Sequence, residues 1–367
     1  MPRALRLPLA TIATALAGLA IAVGAGGSRS TPTGVNQAAI LADGPAPSLQ
    51  DYGFFLDAGA DRPAPDVMSY DINTPLFSDY AVKHRYLYLP PGAKFGYRAH
   101  GVLDLPVGAA LIKTFDFPAD LRTPGQNARR IETRVLLRKE RGWTAQAYVW
   151  NADRTRAVLK IAGAHMNVAF IDSSGRPRAI GYAVPNVNQC KECHAVNGAL
   201  SPIGPKARNL NVDHDFDGIH ENQLARLVRL GRLIGAPEPS LWPRTAVWTD
   251  PNETLEARAR AYLDANCGHC HSRASFADNS GLYLDLDEDL DMTPGVGKRP
   301  VAAGRGSGGL AFDIAPGDPD HSILVYRMAS DDPGVMMPQL GRSTVDGEGL
   351  ALIRAYVTSM KPTRRPN

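Results

Sequence analysis

The sequence predicts an α+β protein of several domains, in which a β-sandwich-like N-terminal domain is followed by two α-helical modules. Three observations support this prediction. Short segments of β-branched and aromatic residues, bounded by proline and glycine, fill residues 51–185. Apolar residues at helical spacing begin after that region. The motif CxxCH occurs twice, at residues 190–194 and 267–271, once in each predicted module.

The first 27 residues have the pattern of an export signal. Arg3 and Arg6 precede an apolar run from Leu7 to Ala25, which ends among glycine and alanine. An uncleaved membrane anchor is the alternative, because the run approaches the roughly 20 residues that span a bilayer. Its many small residues favour cleavage. We therefore expect a periplasmic protein with no membrane span after the signal is removed.

A linker and a β-rich domain are expected next. Residues 28–50 are mostly Ser, Thr, Gly, Pro and Ala, which is typical of a linker. Residues 51–185 are expected to form a sandwich, because their strands are short and separated by turn residues. The strands are predicted at residues 85–89, 110–115, 131–137, 146–150 and 168–171. Trp143, Tyr148 and Trp150 are candidates for a contact face, although such aromatics more often belong to a core.

The two helical modules are placed at residues 186–250 and 251–367. Their helices are predicted at residues 222–230, 255–265 and 350–360. The first of these ends at Gly231, and the second runs directly into Cys267.

The overall composition is that of an ordinary soluble globular protein, with 44% apolar and 21% charged residues. A formal net charge of +3 is too small to indicate nucleic acid or an anionic membrane as a partner.

All four cysteines of the chain belong to the two CxxCH motifs, so no thiol is left over. CxxCH is the attachment signature of c-type haem: the cysteines form thioethers and the histidine binds the iron. Zinc knuckles or redox dithiols are the alternatives. Composition alone would complete the motif after a given cysteine with a chance of roughly 10⁻⁴, and a Cys₄ zinc site would leave both histidines without a role. The motifs therefore predict two covalently bound haem c groups.

The predicted haem attachment residues are Cys190 and Cys193 with His194, and Cys267 and Cys270 with His271. The two histidines are the expected proximal iron ligands.

The second haem has a candidate for its distal ligand. Met337 precedes Pro338 and the closing helix, the arrangement expected of a distal methionine, whereas Met336 is expected to turn into the core.

The first haem has no methionine between His194 and Cys267 to serve as its sixth ligand. His214 is the preferred candidate, and an open, five-coordinate iron is the alternative. The other candidates are His220, His165 and Met166. The segment Gly204-Pro205 is expected to present a carbonyl group to the second ring nitrogen of His194.

Several segments carry a family resemblance. The motif at 267–271, the stretch PGDPDHS at 316–322, Met337-Pro338 and the closing helix resemble a class I cytochrome c module. Further matching segments are NTPLFSDY at 73–80, IETR at 131–134, YVWN at 148–151, PNVNQC at 185–190 and PIGPKARNLN at 202–211. With them, the mature chain resembles a family of bacterial diheme c-type cytochromes of unassigned role. This resemblance implies two cytochrome c-type haem modules. Similar segments in proteins linked to quinoprotein sugar dehydrogenases suggest a redox partner of that kind.

The leading functional hypothesis is single-electron transfer in the periplasm, between a dehydrogenase-type donor and an acceptor. Such a carrier needs no catalytic residues, and none is evident in the sequence. A peroxidase-like diheme enzyme with an open first haem is the enzymatic alternative. A third possibility is a β-domain that binds a carbohydrate or a partner protein and is fused to a cytochrome.

Overall fold

The centre of the fold is an antiparallel sheet of six strands in the order β1-β2-β4-β5-β6-β7. The computed structural model describes residues 34–287, 295–301 and 304–361, so the predicted signal at 1–27 lies outside the described residues. The first seven strands are β1 Val67–Tyr70, β2 Val82–Tyr88, β3 Phe95–Gly96, β4 Ala110–Phe117, β5 Arg129–Lys139, β6 Gly142–Trp150 and β7 Ala157–Leu159.

Seven further strands follow. They are β8 Ala164–Ile171, β9 Pro177–Val184, β10 Ala195–Val196, β11 Ala199–Leu200, β12 Asp213–Phe216, β13 Ile219–Asn222 and β14 Leu233–Ile234. Each of the five predicted strand segments overlaps an observed strand, because their β-branched and aromatic residues favour extended backbone.

Helices occur at both ends of the described chain and between the strands. They are α1 Gln37–Leu41, α2 Val187–His194, α3 Ala207–Leu210, α4 Gln223–Arg229, α5 Leu255–Leu263, α6 Ile323–Met328 and α7 Gly347–Ser359. The three predicted helices correspond to α4, α5 and α7. The start of α5 has a local cause, since the Thr254 hydroxyl accepts a hydrogen bond from the Ala257 amide at 3.2 Å.

The predicted fold class, a β-sandwich followed by two helical haem modules, is wrong. Strands contain 26% of the residues and helices 23%. The largest sheet is a single antiparallel layer of six strands, and the longest helix among the described residues has 13 residues. The described residues belong to one compact unit, and the predicted domain boundaries stay predictions.

The reason lies in how the first helical segment buries its apolar side chains. Leu210, Leu224 and Leu227 pack in one cluster with Leu87 and Leu111 of the sheet. Strand β14 also pairs in parallel with β3. Helical periodicity specifies an apolar face but not its partner, and here the partner is the sheet.

The opposite face of the sheet is covered by the segment predicted as a linker. Ile40 and Leu49 are buried against Tyr88 and Ile112 of the sheet. The expectation of a linker therefore does not hold for residues 34–50. Their few large apolar side chains are sufficient to pack this segment on the sheet.

For Tyr148 and Trp150, the expected aromatic contact face is also wrong. Tyr148 and Trp150 belong to the same buried cluster. The Tyr148 hydroxyl donates a hydrogen bond to the Ala46 carbonyl oxygen at 2.9 Å, and the Trp150 indole donates one to Thr133 Oγ1 at 3.0 Å. Both aromatic rings contribute to the core, with their polar atoms satisfied.

The last part of the chain forms a small helical cluster. Helices α5, α6 and α7 share an apolar core that includes Tyr262, Val325 and Ile353. Among the described residues, no helix combines the length and apolar character needed to cross a membrane.

Candidate functional site

Two neighbouring cavities each contain one CxxCH motif. The first, of about 250 Å³, is lined by Cys190, Cys193 and His194, together with one face of the sheet. The second, of about 200 Å³, is lined by Cys270 and His271 among other residues. The cavities share a wall, formed by Cys193, Asn266, Cys267, His269, Met328, Met337, Pro338 and Leu340.

The first motif is positioned by the short helix α2. Its start is stabilised by a capping box: Asn186 Oδ1 accepts from the Gln189 amide at 2.9 Å, and Gln189 Oε1 accepts from the Asn186 amide at 3.0 Å. Residues three apart lie on one face of a helix, so Cys190 and Cys193 point to the same side. His194 is the last residue of the helix.

His194 is held in a fixed orientation. Its Nδ1 donates a hydrogen bond to the Ser201 carbonyl oxygen at 3.0 Å, which leaves the lone pair of Nε2 free. Burial lowers the pKa of His194 to about 4, so the ring is neutral at pH 7. The sequence predicted that Gly204-Pro205 would supply the carbonyl group that accepts this hydrogen bond from His194. Pro205 instead lines the first cavity, and its carbonyl oxygen accepts from the Leu103 amide at 3.0 Å.

The second motif follows directly from helix α5. The helix widens into a π-helical turn at Asp264–Gly268, and the amide of His271 donates to the Cys267 carbonyl oxygen at 2.9 Å. Gly268 is required here, because a Cβ at this position would lie 2.9 Å from the Cα of Asp285. This close approach places the second motif beside Leu284, which lines the second cavity together with Cys270 and His271.

His271 is oriented in the same way as His194. Its Nδ1 donates to the Leu282 carbonyl oxygen at 3.2 Å, with the Ser280 hydroxyl 3.3 Å from the same nitrogen. Burial lowers the pKa of His271 to about 4. Both motif histidines therefore offer a neutral Nε2, which is the form that binds iron.

Met337 lies in the shared wall of the two cavities, whereas Met336 is buried and lines neither. Two hydrogen bonds fix the backbone of Met337. Its amide donates to the Arg327 carbonyl oxygen at 3.0 Å, and its carbonyl oxygen accepts from Arg342 Nη2 at 2.8 Å. Met328 lies in the same wall. The sequence analysis missed Met328 because it belongs to the apolar pattern of helix α6 and looks like a core residue.

The structure does not bring His214 to the first cavity. Its Nε2 lies 3.0 Å from the Ser69 hydroxyl, and its Nδ1 lies 3.2 Å from a carboxylate oxygen of Asp71. Both ring nitrogens are therefore engaged elsewhere. The other three candidates, His220, His165 and Met166, do not line the first cavity either. Pairing of β12 with β13 turns His214 towards strand β1, which the sequence could not indicate.

His269, the third residue of the second CxxCH motif, connects the two sites. It lines both cavities, and its ligand atom lies within 4.8 Å of those of Cys193 and Cys270. Hydrogen bonding from Cys270 lowers the pKa of Cys193, and with the hydrogen bond from His269 it outweighs the opposing effect of burial. His269 Nδ1 is buried without a hydrogen-bond partner among the described residues. Its position inside a motif gave no sign of this role.

These residues fit haem c better than a bare metal ion. A zinc site at Cys193, His269 and Cys270 would use one cysteine of each motif and neither oriented histidine. Haem attachment uses both cysteines of each motif, and it explains why His194 and His271 each present a free Nε2 to a cavity.

No protein-family model, curated protein or solved structure matches this chain. Any assignment therefore depends on the geometry of the two motifs and the cavities that contain them.

Proposed function

We propose that the protein is a periplasmic diheme c-type cytochrome that transfers single electrons between a dehydrogenase-type donor and an acceptor. The observation that supports this most is the contact between the two motifs, in which ligand atoms of Cys193, His269 and Cys270 lie within 4.8 Å of one another. Haems attached at these cysteines would meet at their thioether edges. The family resemblance suggests a quinoprotein dehydrogenase as the donor.

Each motif supplies the same set of groups in this proposal. Its two cysteines form the thioether bonds, and its histidine, His194 or His271, binds iron through Nε2. When bound, haem c supplies a one-electron iron couple whose potential depends on its axial ligands. The hydrogen bonds from Nδ1 to backbone carbonyl oxygens keep both rings in the tautomer that this role requires.

Met337 is the proposed sixth ligand of the second haem. Its place in the cavity wall beside His271 supports this role, as does the anchoring of its backbone by Arg342. A methionine ligand raises the potential of a c-type haem relative to histidine or no protein ligand. Electrons would then flow from the first haem to the second.

A peroxidase-like diheme enzyme is the second candidate. It is favoured by one observation: none of the four side chains expected as sixth ligand of the first haem lines the first cavity. Without such a ligand, the cavity would leave room beside the first haem for a small molecule such as peroxide.

Haem content tests the proposal directly. The full-length protein, made in a host with haem-attachment machinery, should retain two haems after denaturation, by pyridine haemochrome spectrum and intact mass. The double variants Cys190→Ala/Cys193→Ala and Cys267→Ala/Cys270→Ala should each retain one. Retention of no haem by the unaltered protein, with stoichiometric zinc in its place, would contradict the proposal.

Electron paramagnetic resonance of the oxidised protein separates the two candidate functions. Two low-spin ferric signals that cyanide does not alter support the carrier. A dominant high-spin signal that converts to low spin on addition of cyanide, together with peroxide turnover, supports the enzyme.

A further inference from the structure

Three cationic side chains form a row across the sheet where it faces the first cavity. Arg85 on β2 is directly opposite Lys113 on β4, and Lys113 is directly opposite Arg134 on β5. Residues opposite each other on neighbouring antiparallel strands have side chains on the same face, about 5 Å apart at Cβ. All three line the first cavity. Like charges in this arrangement destabilise a sheet unless something compensates them.

Among the described residues, Arg134 is the only member of the row with a carboxylate partner at hydrogen-bond distance. Arg134 donates to both carboxylate oxygens of Glu132, at 2.6 and 3.0 Å. Arg85 is 7% exposed, and its Nη2 has no hydrogen-bond partner among the described residues. Arg85 Nη1 donates to the Lys83 carbonyl oxygen at 3.4 Å and forms a long ion pair, at 3.8 Å, with the exposed carboxylate of Asp71.

Lys113 is the other member of the row without a hydrogen-bonded carboxylate. Among the residues that the structure describes, it makes no hydrogen bond or ion pair, and its ammonium lies 5.1 Å from the centroid of the Phe115 ring. Burial, and then the neighbouring cations Arg85, Lys83 and Arg134, lower the pKa of Lys113 well below its ordinary value. Glu132 is the carboxylate that acts in the opposite direction.

The other charged side chains that line the first cavity have partners. Lys206 lies 3.5 Å from Asp264, Arg342 donates to several backbone carbonyl oxygens, and Asp346 accepts from the Tyr262 hydroxyl at 2.8 Å. Arg85 Nη2 and the Lys113 ammonium therefore remain the described cationic donors of this cavity that have neither a hydrogen bond nor an ion pair.

We propose that Arg85 and Lys113 form a carboxylate-binding site in the first cavity. The guanidinium fork of Arg85 suits a carboxylate, and the two cationic groups with unused donors match two carboxylates. Two sources can supply them: the two propionates of a haem attached at Cys190 and Cys193, or a free organic acid. The first source rests on the proposed function, and the second does not.

Thermal unfolding of Lys113→Met in the full-length protein gives the first test. Methionine keeps the length of the apolar stem and removes the charge. If nothing anionic is bound, removal of an unpaired buried charge raises the unfolding temperature. If a carboxylate is bound, the same change leaves that carboxylate unpaired and lowers the unfolding temperature. We expect a lower temperature for Lys113→Met and for Arg85→Gln than for the unaltered protein; an unchanged or higher temperature for Lys113→Met, both without and with added succinate, overturns the proposal.

Arg138→Gln is the matched control. Arg138 lies on β5, on the same face as Arg134, but it does not line the cavity. We expect no change in its unfolding temperature. A decrease as large as that of Lys113→Met would mean that any loss of charge on this face has the same effect, and would overturn the proposal.

The two sources are separated by two further measurements. If the haem propionates are bound, Lys113→Met should lower the reduction potential of one haem by about 59 mV. For a one-electron couple, this shift corresponds to about a tenfold change in the ferric-to-ferrous ratio at the original midpoint potential. It should also make that potential depend on pH between 5 and 8, where the unaltered protein shows no slope. If a free acid is bound, succinate should instead raise the unfolding temperature of the unaltered protein and not that of Lys113→Met.

Failure of the proposed function can be told apart from failure of this site. If the protein retains no haem, the succinate measurement still decides: stabilisation that Lys113→Met abolishes upholds the site, and its absence overturns it. If two haems are retained but neither the potential nor the unfolding temperature responds as described, the site fails while the proposed function stands.

Discussion

The side-chain sulfur atoms of Cys193 and Cys270 lie within 4.8 Å of each other, although they belong to different CxxCH motifs. Cys270 Sγ also lies 3.5 Å from the Glu192 carbonyl oxygen, so its thiol contacts the backbone of the first motif. Just beyond the motifs, the Asn197 amide donates to the Ala274 carbonyl oxygen at 2.9 Å. The two motifs therefore form one structural unit, and groups attached to them would be adjacent.

This contact predicts magnetic interaction between two ferric haems. The oxidised two-haem protein should give broadened or split electron paramagnetic resonance signals, because neighbouring paramagnetic irons couple. The single-haem variants Cys190→Ala/Cys193→Ala and Cys267→Ala/Cys270→Ala serve as controls and should each give an ordinary isolated signal. A two-haem spectrum equal to the sum of the two single-haem spectra would contradict the predicted proximity.

Replacement of Met337 should change the second haem. Met337→Ala is expected to abolish the weak sulfur-to-iron charge-transfer band and to lower that haem's potential, because loss of a thioether ligand destabilises the ferrous state. Optical spectra and a redox titration measure both effects. Met336→Ala is the control and should leave both unchanged, since Met336 lines neither cavity. If Met328→Ala removes the band instead, the ligand is the methionine of helix α6.

His214→Ala should leave the spectra and potentials of both haems unchanged, because its ring nitrogens are engaged by Ser69 and Asp71 outside the cavity. The substitution should instead lower the free energy of unfolding by about 1 kcal/mol, because it removes these hydrogen bonds. Urea unfolding and the resonance spectrum of the oxidised protein check the two halves of this prediction. A change in the first haem's signal would return His214 to the set of iron ligands.

Asp116 should make folding sensitive to acid. Burial alone would raise its pKa, but hydrogen bonds from His84 and Arg130 outweigh burial and lower the pKa to about 2. A carboxyl with a lower pKa in the folded protein stabilises it above the unfolded-state value of about 4, and this contribution is lost as the pH falls from there towards 2. Asp116→Asn should therefore cost about 2 kcal/mol at pH 7, because Arg130 loses its bidentate partner and keeps only Asp61, at 3.2 Å, as a carboxylate neighbour among the described residues.

The same substitution should cost progressively less as the pH falls below about 4, measured by urea unfolding at several pH values. Asp120→Asn provides the comparison, since Asp120 pairs with Arg122 at the protein surface and should contribute little. An equal loss for both variants at pH 7 would show that burial of the Asp116 pair is not what matters.

Local sequence patterns were sufficient for many elements of this fold. Strands β4, β5 and β6 and helices α4, α5 and α7 were predicted because alternation and helical spacing are properties of neighbouring residues. The predicted haem attachment residues likewise depend only on five consecutive positions. That Met337 rather than Met336 lines the cavities agrees with its place before Pro338 in the sequence.

Contacts between distant residues were decided by the tertiary structure. Helical spacing did not reveal that Leu224 packs on the sheet, and composition did not reveal that Ile40 is buried. The carbonyl group beside His194 belongs to Ser201 and not to Pro205, because a three-dimensional turn decides which backbone oxygen is near.

The sequence by itself therefore determined the two CxxCH motifs and those strands and helices whose signals lie within a few neighbouring residues. Only the tertiary structure decided that Cys193 meets Cys270, that His214 turns to Ser69, and that Arg85 and Lys113 share one register. These relationships depend on strand pairing and on the packing of segments far apart in the chain, and a local pattern carries no information about which distant partner is chosen.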